Sequence, residues 1–253
     1  MATLRFGALF PTENADIEDF QRLLGRVSPS ARLDVVELRW PPGVAVGLAD
    51  MSDDDLAAAS AGLGDPALLA NALDGSAGRF EAVALAVTSA SFLRTAHDHA
   101  HQLDTLTRVA RCRSATTLRG FQDAVRHLGA TRVSVASVYP PHFTDKFIAH
   151  LSETDAIVVH RVDANARTDH DLARWNDDRI VDLVTRAARP GVEVVLLPET
   201  ALHTDHLTAV LAEVAGAPVL TATQVTIWSL FRALGFAPAA PDAGPLFDLD
   251  EHR

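Results

Sequence analysis

The runs AVALAV at 82–87 and VVLLP at 194–198 are apolar at every position, not at every second one. A strand that is apolar on both faces of its pleat must be covered on both. That is the condition of a parallel sheet held between helices. Each run also stops at polar residues, Thr88 and Ser89 in one case, Glu199 and Thr200 in the other. The C-terminal tips of such strands are where an open α/β sheet places its ligand.

The rest of the chain fits this frame. Strands are expected at 4–11, 32–40 and 80–87, with helices at 15–27, 52–63 and 116–129. Asn14 and Ser52 stand where N-caps are needed, and Gly129 where a helix stops. The pattern then restarts, with strands at 131–141, 154–162, 192–198 and 217–222 and helices at 143–152, 178–191, 205–216 and 224–235. Strands that alternate with helices argue for parallel sheets. Each half opens with a strand ending in a Pro-containing loop, LFPTEN and SVYPPH, and later has a buried strand ending in a polar pair. The expectation is an α/β chain of two similar lobes with parallel sheets, related by a pseudo-twofold axis, with the site in the cleft between them. The lobes are expected at 1–115, with a return of the C-terminal helix to it left open, and at 116–236. An irregular Pro-rich tail at 237–253 follows.

Composition removes several function classes. Hydrophobic residues make up 48% of 253 residues, enough for a core. A formal net charge of -11 argues against nucleic acid and anionic membranes as partners. A lone cysteine, Cys112, rules out an intramolecular disulfide and a cysteine zinc cluster. Neither glycine-rich phosphate motif occurs, so a nucleotide cofactor is unsupported. The apolar stretch at 217–236 is interrupted by Gln224 and Arg232 and reads as a strand plus a buried helix. No secretory signal is apparent, so a cytoplasmic location is expected.

The candidate residues carry alternative readings. Thr88 and Ser89 suit either a helix cap or a carboxylate site built from hydroxyls and open backbone N–H groups. Tyr139, the single tyrosine, could donate to a substrate oxygen or simply pack its ring at the rim. His97 and His101 share a helix face as metal ligands can. No third ligand is marked by spacing, and a solvated face is the simpler reading. A metal-dependent hydrolase built on this histidine run is the alternative class. His203 and His206 flank a strand mouth without forming a metal signature.

Five segments in order, LFPTENADIEDF, LAVTSASF, SVYPPHFTDKF, VVLLPETALHT and APVLTATQVTIWSLFRALG, resemble the aspartate/glutamate racemase superfamily. They are most similar to its maleate cis-trans isomerase and arylmalonate decarboxylase branch, over residues 4–236. The resemblance implies two flavodoxin-like lobes, a small carboxylic acid substrate, and no metal or organic cofactor. It implies that Asn14, Thr88, Ser89 and Tyr139 hold carboxylate or carbonyl oxygens, with Asp169 at a third position and Thr200 beside the catalytic one. It also exposes two departures. Where isomerases and racemases of the branch keep paired cysteines, this chain has Val87 and Glu199. Decarboxylases lack the first cysteine as well, but keep the second.

Two-thiol racemisation and thiolate addition to an alkene are therefore disfavoured, because neither position carries a thiol, and Val87 cannot move a proton. One-sided acid/base chemistry by Glu199, assisted by Tyr139, remains. An ordinary Glu is ionised at pH 7, so the base role needs no special environment, whereas the acid role needs burial or a nearby negative charge. The reading is a cofactor-independent, decarboxylase-like lyase acting on a small carboxylic or dicarboxylic acid. Its alternatives are an isomerase or racemase relative with altered chemistry, or a non-catalytic binder of carboxylates or amino acids. In the last case Glu199, Asp169 and Glu13 would form an acidic pocket. Self-association into a homo-oligomer is left open.

Overall fold

The structure, a computed structural model, describes residues 3–11, 17–40, 51–166, 172 and 174–248. It contains two four-stranded sheets, both wholly parallel. The first is built from β1 (Arg5–Pro11), β2 (Arg32–Leu38), β3 (Ala82–Leu85) and β4 (Arg113–Thr116), in the order β2-β1-β3-β4. The second is built from β5 (Arg132–Ser137), β6 (Ile157–Asp163), β7 (Val194–Leu197) and β8 (Val219–Thr221), in the order β6-β5-β7-β8. The two orders are the same path drawn twice, as the two-lobe reading of the sequence expects.

The helices follow from capping and patterning. In the first lobe they are α1 (Ile17–Val27), α2 (Asp53–Gly62), α3 (Pro66–Ala72), α4 (Thr88–Phe92) and α5 (Ala96–Ala110). Then come α6 (Thr117–His127), α7 (Pro141–Leu151), α8 (Asp177–Ala187), α9 (Thr208–Ala215) and α10 (Ala222–Ala233). Ser52 caps α2 by accepting from the Asp55 N–H, as expected from its sequence. Gly129 and Gly216 take the left-handed conformation that ends α6 and α9. Sequence reading provided neither α3 nor β4. The β4 segment RSAT is short, polar and at a sheet edge, so it carries no apolar signature. The 115/116 division drawn from the sequence falls at the end of this strand.

Both faces of the central strands are buried, and alternate residues enter different clusters. Ala82, Ala84 and Ala86 join the large core that runs continuously into the second lobe. Val83, Leu85 and Val87 join a smaller cluster with Leu63, Leu69 and Leu73 on the other face of the sheet. α10 lies between the lobes, and residues 222–231 are all buried. It leaves β8 and packs against α1, α6, β3 and β4, returning to the first sheet. Thr226 on it donates to the Ala222 carbonyl and shares a hydrogen bond with Thr117 at 2.7 Å. The approach of α6 is close enough that a Cβ on Gly120 would lie 2.8 Å from Ser229 Oγ and from the Val225 carbonyl.

The tail is irregular, yet packed. Ala243 and Phe247 are fully buried, and Gln224 on α10 donates to the Ala243 carbonyl. Gly244 sits at φ 109 against the Gln224 amide, where a side chain would collide. No helix among the described residues is long and apolar enough to cross a membrane.

Candidate active site

In each sheet the strand order reverses at its centre, between β1 and β3 and between β5 and β7. In open α/β sheets, ligands bind at the C-terminal ends of the strands where the order reverses in this way. The residues that sequence reading singles out stand at these ends. β3 leads through Val87 into Thr88 and Ser89 at the start of α4. β5 leads to Tyr139, and β7 leads to Glu199 and Thr200. Asn14, Glu13 and Asp169 lie outside the described residues.

On the first lobe, Thr88 is 1% exposed, and its Oγ1 has no hydrogen-bond partner. Ser89 beside it is half-buried. Val87, the N-cap residue of α4, has no side-chain oxygen to offer the first-turn amides. A hydroxyl and uncapped amides thus stand together at one strand end.

On the second lobe, Tyr139 is held from three sides. Its backbone N–H donates to Ser137 Oγ at 3.1 Å, and its ring stacks on Phe143. Its hydroxyl donates to the Pro198 carbonyl at 3.0 Å, which ties the end of β5 to the end of β7. The phenolic proton is therefore engaged in the resting protein, and donation to a substrate requires it to change partner. The Tyr139 ring also meets Phe92 of α4 edge-on, with centroids 5.1 Å apart. Phe92 lies one turn beyond Thr88. The two lobes' strand ends are thereby linked through Phe92, Tyr139 and Pro198 to Glu199.

Glu199 is 5% exposed. Its Oε1 accepts from the Ala201 N–H at 2.6 Å, closing a tight turn at the strand mouth. Thr200 is buried in the same turn.

The histidines separate by environment. His97 and His101 are exposed and stack at 5.8 Å, and the described residues contain no group of three or more His, Cys, Asp or Glu placed to hold a metal. His99 is instead buried and bonds Thr116 Oγ1 at 2.7 Å. Burial, with His150 and Arg119 nearby, pushes it down to about 4. His203 accepts from Arg22, and exposed His206 pairs with Asp177.

One further residue escaped sequence reading. Asp19 on α1 is wholly buried and joins the two lobes. A signal was present: it lies four positions before Leu23, on the same buried stripe as Phe20, Leu23 and Leu24. An acid on an apolar stripe must find partners.

A family model described as arylmalonate decarboxylase matches residues 44–247. The chain is 28% identical over 169 residues to the arylmalonate decarboxylase of Bordetella bronchiseptica, covering 66% of this chain and 70% of that protein. It is 21% identical over 126 residues to the maleate isomerase of Geobacillus stearothermophilus, covering 49% of this chain and 50% of that one. Among solved structures, the maleate isomerase Iso from Pseudomonas putida superposes with TM-score 0.82 at 17% identity, over 98% of this chain and 99% of that chain. An arylmalonate decarboxylase superposes with TM-score 0.69 at 22% identity, over 96% and 98%. These superpositions establish the shared two-lobed fold.

Proposed function

The chain belongs to the arylmalonate decarboxylase family, and from that premise we propose that it is a cofactor-independent, decarboxylase-like lyase. Its substrate is a small carboxylic or dicarboxylic acid, and its proton chemistry is confined to one face. The observation that carries this reading is the Thr88 hydroxyl, buried without a partner at the end of β3. An unsatisfied buried hydroxyl costs about 1–3 kcal/mol. A carboxylate oxygen of the substrate offsets that cost, and Ser89 and the uncapped amides of α4 add donors.

In the step that follows, the retained carboxylate sits on Thr88 and Ser89. The bond from Cα to the second carboxylate breaks, and that group leaves as CO2. The electron pair moves into an enediolate over the retained carboxylate, stabilised by the same donors and by Tyr139. Glu199, in its acid form, then delivers its carboxyl proton to Cα and is left as a carboxylate, which regains a proton from solvent. One proton is consumed and one CO2 released. Val87 packs into an apolar cluster and offers no second acid or base. This favours a lyase over an isomerase or racemase that works from two sides.

The test is release of CO2 from phenylmalonate by the wild-type chain and by Glu199→Gln. Turnover by the wild type and its loss in the variant support the reading, and equal turnover removes Glu199 from the chemistry. A second reading rests on the fixed position of the Glu199 carboxylate, which also suits an ammonium group. Calorimetry with malonate and with glutamate separates the two, since a cation-selecting pocket favours the amino acid.

A further inference from the structure

We infer that Asp19 is a positioning residue, the clasp by which the first lobe holds the Glu199 loop of the second. The inference deepens the reading of Glu199 above and rests on it for its catalytic consequence. Its structural part stands independently.

The Asp19 side chain has no exposure, and its two oxygens accept five hydrogen bonds. Oδ2 accepts from the Thr204 N–H at 3.0 Å, from Thr204 Oγ1 at 3.2 Å and from Thr223 Oγ1 at 2.9 Å. Oδ1 accepts from the Asp205 N–H at 3.0 Å and from Arg22 Nη2 at 2.9 Å. Four of these donors come from outside α1. Two are backbone amides a few residues beyond Glu199, and one is the first turn of α10.

α1 adds two outer contacts to the same loop. Arg22 donates to His203 at 3.3 Å, and Arg26 pairs with Asp205 at 2.7 Å. The Asp19 contacts to residues 204, 205 and 223 are buried, whereas these two are not fully so, and a buried carboxylate that satisfies backbone N–H groups is strong and directional. α1 follows β1 in the chain, and Asp19 lies in its first turn. One side chain therefore joins the first helix of the first lobe to the segment that follows Glu199 in the second.

An asparagine cannot reproduce this. It has one acceptor oxygen, and its amide would turn two N–H groups toward donors. A 1 Å displacement of a reacting group is enough to cost about a hundredfold in rate. The consequence of Asp19→Asn is therefore expected in kcat rather than in binding.

The experiment is hydrogen exchange on the full-length protein, read at the amides of Ala201, Thr204 and Asp205, paired with kinetics on phenylmalonate. Asp19→Asn is expected to speed exchange at all three by about tenfold or more, with amides of β3 unchanged. It is expected to lower kcat by about 10–100-fold while KM stays within about threefold. Thr223→Val, which removes a single donor, is expected to do the same to a smaller extent, and serves where Asp19→Asn fails to fold. Leu69→Ala, in the outer cluster of the first lobe, is a comparably destabilised control whose kcat is expected to stay near wild type.

Unchanged exchange at Ala201 in both variants overturns the inference, because the clasp would then not reach Glu199. A KM rise at constant kcat also overturns it. If the wild-type chain leaves phenylmalonate intact, the lyase reading fails, while the exchange measurement still decides whether Asp19 holds the loop.

Discussion

Glu199 Oε1 accepts a hydrogen bond from the Ala201 N–H at 2.6 Å, so the candidate acid/base also closes the turn that holds it in place. Glu199→Gln keeps a carbonyl oxygen for that amide. The variant is expected to unfold within about 1 kcal/mol of wild type. Turnover of phenylmalonate is expected to fall by about 10²–10⁴-fold, the usual worth of a general acid or base. Calorimetric unfolding and CO2 release measure the two effects, and a rate within threefold of wild type would sink the assignment.

Thr88→Val tests the unpartnered hydroxyl. Removing a buried polar group that has no partner is expected to leave the ligand-free protein as stable as wild type, or more stable by up to about 1–2 kcal/mol. Binding of malonate, followed by calorimetry, is expected to weaken by about tenfold or more. A variant that loses stability but keeps its affinity would place the hydroxyl in the scaffold instead.

Tyr139→Phe keeps the ring contacts to Phe92 and Phe143 and deletes the bond to the Pro198 carbonyl. It is expected to cost about 1 kcal/mol of stability. If the hydroxyl changes partner to serve the substrate, kcat/KM falls by about 10–100-fold. A stability loss without a kinetic effect would assign the phenol to tying β5 and β7 together.

His99 makes the fold sensitive to acid. Its native value is pushed down to about 4 from an ordinary 6.5, so between these values the unfolded chain binds the proton that the folded chain refuses. Stability is therefore full above pH 6.5 and is expected to decline as pH falls toward 4, by up to about 3 kcal/mol from this group. His99→Gln, which can still bond Thr116, is expected to flatten the slope of urea midpoint against pH across that window. An unchanged slope would assign the acid sensitivity to other groups.

Much of the architecture was legible because its signals are local. Continuous apolar runs marked β3 and β7, and cap residues and stop glycines marked the helices between strands. The strand-end placement of Thr88, Tyr139 and Glu199 followed from the same patterning, since a residue just past an apolar run sits at the mouth of the sheet. Short polar β4 left no such trace, and the 237–248 segment read as irregular while hiding the fully buried Phe247.

By itself, the sequence determined that this chain builds two parallel sheets on one repeated plan and places hydroxyls and a carboxylate at their ends, because periodicity and capping act within a few residues. Only the tertiary structure decided which groups are left wanting a partner. Thr88 Oγ1 is buried with none, His99 is buried neutral beside Thr116, and Asp19 gathers donors from residues 204, 205 and 223. The cost or reward of a polar group depends on what distant segments bring to it, and no local pattern records that.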